Sequence, residues 1–388
     1  MNQPFKSLNT TCTHAGEVAD AQFKGAVSPL YMSTSYAYED VAVKRYPRYY
    51  NTPNQVGVAQ KIAALEHTEA GMIFGSGMAA ISHALFAFLK QGDHVVFQKE
   101  LYGGTMNLIF TEFPKYGISY SFAESEEAVS FEKVIQPNTK IIYIETPSNP
   151  LLTITDIAAV SKLAQSKGIL TMIDNTFASP VNQNPHDFGI DIILHSATKY
   201  LGGHSDILAG AVAASQLHID QIFKSAINFG GSLSDFTVWL LERSIKTMAL
   251  RVQAQNQNAQ QMAEFLLAHK AVDRVFYPGL PSHPTHAVAK KQMHGFGGML
   301  SFELKPDYDT EKFLQSLQLI KPSMSLAGVE STMLSPTKTS HALLSAEERA
   351  NQGIRDGLIR FSVGIEGVED LVADIENAIV KSLRKQLV

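Results

Sequence analysis

The 388-residue chain carries a single cysteine, Cys12, which excludes an internal disulfide framework and a cysteine-rich metal site and suits a reducing compartment. It also lacks any basic run. With 32 basic residues against 37 acidic ones the net charge is -5, so the electrostatic footprint of nucleic-acid binding is absent. No low-complexity segment or internal repeat occurs, and no second histidine-rich motif completes a metal site around His195, His204 and Asp206. A lone histidine beside a buried strand is usually hydrogen-bonded structure. No charged-then-apolar leader opens the sequence, from which a cytoplasmic protein is expected. Ala70 to Leu89 holds no Asp, Glu, Lys or Arg, but Gly71, Gly75 and Gly77 break its first half and Ser76, Ser82 and His83 are costly in lipid. A loop leading into a buried helix is expected there, not a membrane span.

What is present points to a large α/β protein. Apolar residues make up 45% of the chain, enough for a sizeable core divided between two domains and an arm. Short β-type runs at His94 to Gln98, Lys140 to Glu145, Leu170 to Asp174 and Asp191 to Leu194 alternate with helical patterns such as Ile157 to Lys167. That order predicts a mostly parallel sheet with helices on both faces. Residues 1 to 45 lack strong periodicity and read as an arm, 46–243 as the main domain and 244–388 as a second one, entered through a long helix from about Leu241 to His269.

The motifs cluster at predicted strand ends, where such sheets bind ligands. Ser196-Ala197-Thr198-Lys199-Tyr200 follows the apolar run Asp191 to Leu194. A lysine there can form a Schiff base with an aldehyde cofactor while Ser196 and Thr198 bond its phosphate. Asp174 ends a buried strand 25 residues earlier and can keep a pyridine nitrogen protonated. Small residues at Gly75-Ser76-Gly77-Met78-Ala79-Ala80, before a helix, let backbone N–H groups approach an anion. The same residues mimic a dinucleotide fingerprint, which would make the chain a nicotinamide-dependent oxidoreductase, but Asp93 precedes the next strand rather than ending it. Tyr102, on the glycine turn Tyr102-Gly103-Gly104 after a strand, is placed to stack on an aromatic ring.

Together with Glu145-Thr146-Pro147-Ser148-Asn149-Pro150, Tyr46-Pro47-Arg48, Ser325-Leu326-Ala327-Gly328-Val329-Glu330-Ser331 and Arg360-Phe361-Ser362-Val363-Gly364, these motifs run in one order along nearly the whole chain. In them the sequence resembles the Cys/Met-metabolism family of pyridoxal-phosphate enzymes. The resemblance implies a fold-type I transferase architecture with a smaller C-terminal α/β domain. It implies pyridoxal 5'-phosphate carried by Lys199, with Asp174 at the ring nitrogen, Tyr102 on the ring and Asn149 near the ring hydroxyl. Gly77, Met78, Ser196 and Thr198 would hold the phosphate, with Thr176 also in the cofactor site, and Tyr46 and Arg48 would reach a neighbouring subunit's phosphate. Arg360 would clamp the substrate carboxylate and Ser325 position the lysine. A homotetramer with shared active sites is expected, and no metal, membrane or nucleic-acid partner.

Within that family the resemblance implies a carbon–sulfur lyase acting on cystathionine or a related sulfur amino acid. The alternatives are cystathionine gamma-synthase and, further off, methionine gamma-lyase or O-acetylhomoserine sulfhydrylase. Gly104 stands where methionine gamma-lyases place a cysteine, and Met324 where the gamma-synthases and gamma-lyases place a glutamate. The segment Tyr49 to Asn54 is one residue longer than usual, and Ser335 to His341 carries an unusual lysine, Lys338. Both are expected near the substrate mouth.

Overall fold

The computed structural model describes residues 5–339 and 353–384. Seven strands form the larger sheet: β1 (Ala70–Phe74), β2 (His94–Phe97), β3 (Ser119–Phe122), β4 (Thr139–Glu145), β5 (Leu170–Asp174), β6 (Ile192–His195) and β7 (Gly210–Ala214). Their order is β1-β7-β6-β5-β4-β2-β3. Five of them run parallel from β3 to β6, and β7 pairs antiparallel with both β6 and β1. The expected mostly parallel α/β sheet is therefore found.

Its strands are apolar in both phases because both faces are covered. Ile142, Ile144, Ile173 and Ile193 pack on one side, and Ile141, Tyr143, Met172, Ile192 and Leu194 on the other. The parallel strands all end at one edge, which gathers Glu145, Asp174 and His195 from segments far apart in sequence.

Five further strands build a second sheet: β8 (Val272–Phe276), β9 (Met299–Leu304), β10 (Lys321–Pro322), β11 (Thr332–Leu334) and β12 (Leu358–Ser362), in the order β10-β11-β12-β9-β8. Arg360 sits in the middle of β12, paired with Ser301 of β9 and Leu334 of β11. The helix Met248–Ala268 packs on β8 and β9, Val368–Ser382 packs against it and against Thr310–Ser316, and Phe313 of the latter meets Phe302 of β9.

Several sequence expectations change here. Ala70 to Leu89 holds the expected loop and helix, Gly75-Ser76 followed by Gly77–Phe88, but its first residues Ala70–Phe74 form a strand. Gly71 lies inside that strand because a Cβ would come within 2.6 Å of the Ala59 carbonyl, so glycine permits the close approach of helix Pro53–Leu65. The single helix expected from Leu241 to His269 is two, Asp235–Ile245 and Met248–Ala268. The break frees the Ser244 carbonyl, which accepts from Arg251 Nη2 at 2.9 Å. Before residue 46 the described chain holds only the helix Leu8–His14 amid turns and bends. Ser28 ties this region down: its Oγ donates to Glu242 Oε1 at 2.7 Å and its carbonyl accepts from Trp239 Nε1 at 2.8 Å.

Candidate active site

The turn after β6 presents Lys199. Its backbone is fixed by Lys199 N to Ser196 O (3.0 Å) and Gly203 N to Lys199 O (2.6 Å). The amine donates to Ser325 Oγ at 2.8 Å. Burial, with Arg360 nearby, lowers its pKa to about 8, so a useful fraction of this lysine is a neutral nucleophile near neutrality. Ser325 holds φ 88°, a left-handed conformation costly for a residue with a side chain, maintained by the surrounding packing.

Asp174 ends β5 and is 6% exposed. Its Oδ1 accepts the Thr176 N–H at 3.0 Å, yet burial raises its pKa. No Lys or Arg pairs with it among the described residues. A buried carboxyl left without a cation is where a cationic group on a bound molecule is stabilised most. Thr176 Oγ1 in turn accepts the Ser196 N–H at 2.8 Å and joins the two strand ends.

Opposite the lysine turn, helix Gly77–Phe88 begins. Ser76 Oγ caps it by accepting the Ala79 N–H at 3.0 Å, which leaves the Gly77 and Met78 N–H groups without an intrahelical acceptor. A Cβ on Gly77 would lie 2.8 Å from Ser196 Cβ, so only glycine lets the helix start meet the lysine turn. The Thr198 hydroxyl bonds the Ala209 backbone in both directions, at 3.2 and 3.1 Å, which locks the turn.

Arg360 is buried. Its Nη1 donates to Asn149 Oδ1 and its Nη2 to the Ser325 carbonyl, each at 3.1 Å. Burial lowers its pKa to about 10, so it remains cationic at neutral pH, and its partners among the described residues are an amide and a carbonyl rather than a carboxylate. That leaves a guanidinium fork suited to a carboxylate from outside. Tyr102 is 47% exposed and lies over Gly104, where a Cβ would come within 2.5 Å of its ring. This ring therefore occupies the space a side chain at position 104 would fill.

One cavity of about 480 Å³ is lined by Gly77, Met78, Tyr102, Asn149, Asp174, Thr176, Ser196, Thr198, Lys199, Ser325 and Arg360. A larger groove, about 1240 Å³, runs along helix Leu8–His14 and holds none of them, so convergence of polar groups and not size marks the site. Tyr46 and Arg48 lie apart from this cavity within the chain. Tyr46 is 43% exposed, and Arg48 stacks near the Tyr46 and Tyr49 rings while its Nη1 donates to Ile227 O at 2.5 Å.

Met324 stands at the mouth, 72% exposed, as its sequence position implied. Lys338 does not. Its amine turns outward to Glu311 Oε2 at 2.7 Å, drawn by an opposite charge on the surface, and Thr339 lines the cavity instead. Ser340 and His341 lie outside the described residues. The longer Tyr49 to Asn54 segment also lies away from this chain's cavity, because Thr52 forms a capping box with Gln55 and starts helix Pro53–Leu65. His195 and His204 bond Glu66 and the Gly202 carbonyl, and no group of metal-ligating side chains occurs among the described residues. The nicotinamide alternative loses its acidic partner: Asp93 Oδ2 accepts the Lys90 N–H inside its own turn.

Glu145, which opens the motif Glu145 to Pro150 without a role of its own there, also lines this cavity. It ends β4 directly beside Asp174, and its Oε2 accepts the Tyr102 N–H at 2.7 Å. An acidic residue ending the neighbouring buried strand was the available signal of that role.

A nucleophilic amine, an unpaired buried carboxyl and a helix start with free N–H groups fit pyridoxal phosphate, and the free guanidinium fits an amino-acid substrate. The family model for Cys/Met metabolism PLP-dependent enzymes matches residues 9–380. A cystathionine beta-lyase of Lactococcus lactis subsp. cremoris is 42% identical, over 97% of this chain and 99% of its own. The crystal structure of cystathionine gamma-lyase from Lactobacillus plantarum complexed with L-serine superposes with a TM-score of 0.93 at 40% identity, covering 97% and 99% of the two chains. That of cystathionine gamma synthase from Xanthomonas oryzae pv. oryzae in complex with cystathionine gives 0.92 at 37% identity, covering 97% and 98%. No described helix is long and apolar enough to cross a membrane. The chain belongs to the Cys/Met metabolism PLP-dependent enzymes, as a carbon–sulfur lyase whose cofactor is pyridoxal 5'-phosphate.

Proposed function

We propose that this lyase acts on cystathionine or a closely related sulfur amino acid, with Lys199 both bearing the cofactor and moving the substrate's α-proton. The observation that carries this reading is the 2.8 Å contact of Lys199 Nζ with Ser325 Oγ, in the cavity that also holds Asp174 and Arg360. Bound pyridoxal phosphate supplies an electron sink for negative charge at the substrate α-carbon.

The protein's own groups do the rest. Arg360, braced by Asn149, takes the substrate carboxylate and fixes the α-carbon. Lys199, with its pKa near 8, accepts the α-proton as a neutral amine and can return it. Ser325 holds that amine in place. Asp174, assisted by Thr176, would keep the ring nitrogen protonated, and Tyr102 would cover the ring. Gly77, Met78, Ser196 and Thr198 would hold the phosphate. Elimination from cystathionine breaks one carbon–sulfur bond and releases a thiol; hydrolysis then gives an oxo acid and ammonia. The described mouth residues Met324, Leu334 and Thr339 offer no carboxylate to a distal ammonium, which supports acceptance of related sulfur amino acids.

In the assembled protein, Tyr46 and Arg48 serve a neighbouring copy's phosphate, within a cytoplasmic homotetramer organised as an arm (1–45), a cofactor domain (46–243) and a C-terminal domain (244–388). A second reaction, replacement of the acyloxy group of an O-acylhomoserine by the thiolate of cysteine with release of the carboxylate, uses the same groups, and the likeness to the Xanthomonas oryzae synthase favours keeping it in view. Incubation with cystathionine alone should yield oxo acid. Oxo acid or new thioether formed only with O-succinylhomoserine plus cysteine would replace the lyase substrate by the synthase one.

A further inference from the structure

Tyr102 has little to hold its ring. The chain reaches it through a bend at Lys99 and Glu100 and the buried Leu101, the ring lies over a glycine, and as the N-cap of helix Gly103–Thr111 it makes no side-chain capping bond. Its position is therefore set by its own backbone. The Tyr102 carbonyl accepts the Met106 N–H at 3.0 Å inside the helix, and its N–H donates at 2.7 Å to Glu145 Oε2 across the sheet edge.

Glu145 is itself locked. The Gln98 side chain donates to the Glu145 carbonyl at 2.8 Å and accepts its N–H at 3.3 Å. The carboxyl is thus delivered on a rigid strand end, 3% exposed, to the start of a helix whose N–H groups favour an oxygen acceptor.

We propose that Glu145 is a positioning residue for the cofactor site: clamped by Gln98, its carboxyl holds the Tyr102 N–H, and with it the Tyr102 ring, as a neutral acceptor rather than as a charge. The inference rests on the reading that Tyr102 stacks on the cofactor. Asp174 is the in-register neighbour of Glu145 on β5, so the two side chains leave the sheet on the same face, and two adjacent buried anions are costly. Burial and Asp174 together push the Glu145 pKa well above the carboxylate range. With the negative charge kept on Asp174, the protonated Glu145 still offers a carbonyl oxygen to Tyr102.

The test uses Glu145→Met, which removes the acceptor at similar volume, and Glu145→Gln, which reproduces the neutral form. Both are also made in a Tyr102→Ala background. Readouts are the dissociation constant of pyridoxal phosphate from the apoprotein, the visible circular dichroism of the loaded protein, and thermal melting of the apoproteins to confirm folding. Glu145→Met is expected to weaken cofactor binding about tenfold and to shrink the visible dichroism, while Glu145→Gln stays within about threefold of the native chain. In the Tyr102→Ala background Glu145→Met should cost nothing further, as expected of residues acting through one unit. A folded Glu145→Gln as damaged as Glu145→Met overturns the proposal, since a charge is then required. So does a Glu145→Met defect that persists without the tyrosine ring. If Tyr102→Ala alone leaves cofactor binding intact, the stacking reading fails and takes the proposal with it.

Discussion

Lys61 is buried and Lys199 half-buried, and desolvation brings both to a pKa of about 8, yet they sit in opposite circumstances. Lys61 is wholly enclosed. Its amine donates to the Cys12 and Thr13 carbonyls, at 2.9 and 3.2 Å, at the end of helix Leu8–His14, where a cation is favoured. Lys199 has one hydroxyl partner and opens into a cavity. A shifted pKa alone thus does not mark chemistry. Access, and a charge environment left incomplete by the protein, separate the reactive amine from the structural one.

The same contrast holds for carboxyls on the two sides of the strand-end edge. Glu66 is enclosed away from the cavity: its Oε1 accepts from His195 Nε2 at 2.5 Å and from Asn175 Nδ2 at 2.9 Å, while its Oε2 has no hydrogen-bond partner among the described residues. Asp174 is hydrogen-bonded by Thr176 alone among the described residues and lines the cavity.

The strongest way to break the comparison is to exchange the fates of the two amines. Lys199→Ala should lower turnover by about a thousandfold or more and abolish cofactor absorbance attached to the chain, with little change in urea stability. Lys61→Met should do the reverse, costing about 2 kcal/mol in urea denaturation with kcat/KM within about threefold of the native enzyme. Equal losses of activity in the two variants would remove the distinction.

Next in size, Asp174→Asn should reduce kcat about a hundredfold in steady-state assays while leaving apoprotein stability equal or slightly higher, because it removes an unpaired buried carboxyl. A smaller effect lies in pH. The rate at which apoprotein captures pyridoxal phosphate should rise with a midpoint near pH 8 and level roughly one pH unit higher, because Lys199 becomes neutral over that range. Arg360→Gln should move that midpoint upward by removing a positive charge.

For stability the sign is set by proton counts. The unfolded chain keeps lysine protons up to about pH 10.4, the folded one loses them near pH 8, so each of these two lysines makes stability rise with pH between those values. Lys61→Met should flatten that slope between pH 8 and 10 in urea midpoints. Smallest of all, Lys338→Ala should change kcat/KM less than about twofold and stability less than about 0.5 kcal/mol, since its amine is held by an exposed Glu311.

Much of the sheet was legible because buried parallel strands are written as short apolar runs: the patterns at Leu170 and Lys140 became β5 and β4 almost to the residue. Strands β1 and β7 were not. Their glycines and alanines carry no strand propensity, and they pair because helix Pro53–Leu65 and the Ser76 loop approach closely; a Cβ on Gly210 would collide with the Ser76 carbonyl. Among site residues, those within compact motifs could be read from the order of small, hydroxyl and charged residues. Glu145 sits in such a motif, but its role could not be read there, since its partner Tyr102 is 43 positions away. Lys338 was misplaced because sequence neighbours share a loop but not a direction.

The sequence by itself determined the alternation of strand and helix, the lysine turn and the glycine-rich helix start, because these depend on local periodicity, steric size and residue chemistry. Only the tertiary structure decided that Lys199 meets Ser325, 126 positions on, that Arg360 meets Asn149 across 211, and which buried charges are left unpaired. Desolvation and partner choice are properties of the whole packed chain, and neither is carried by any short stretch of it.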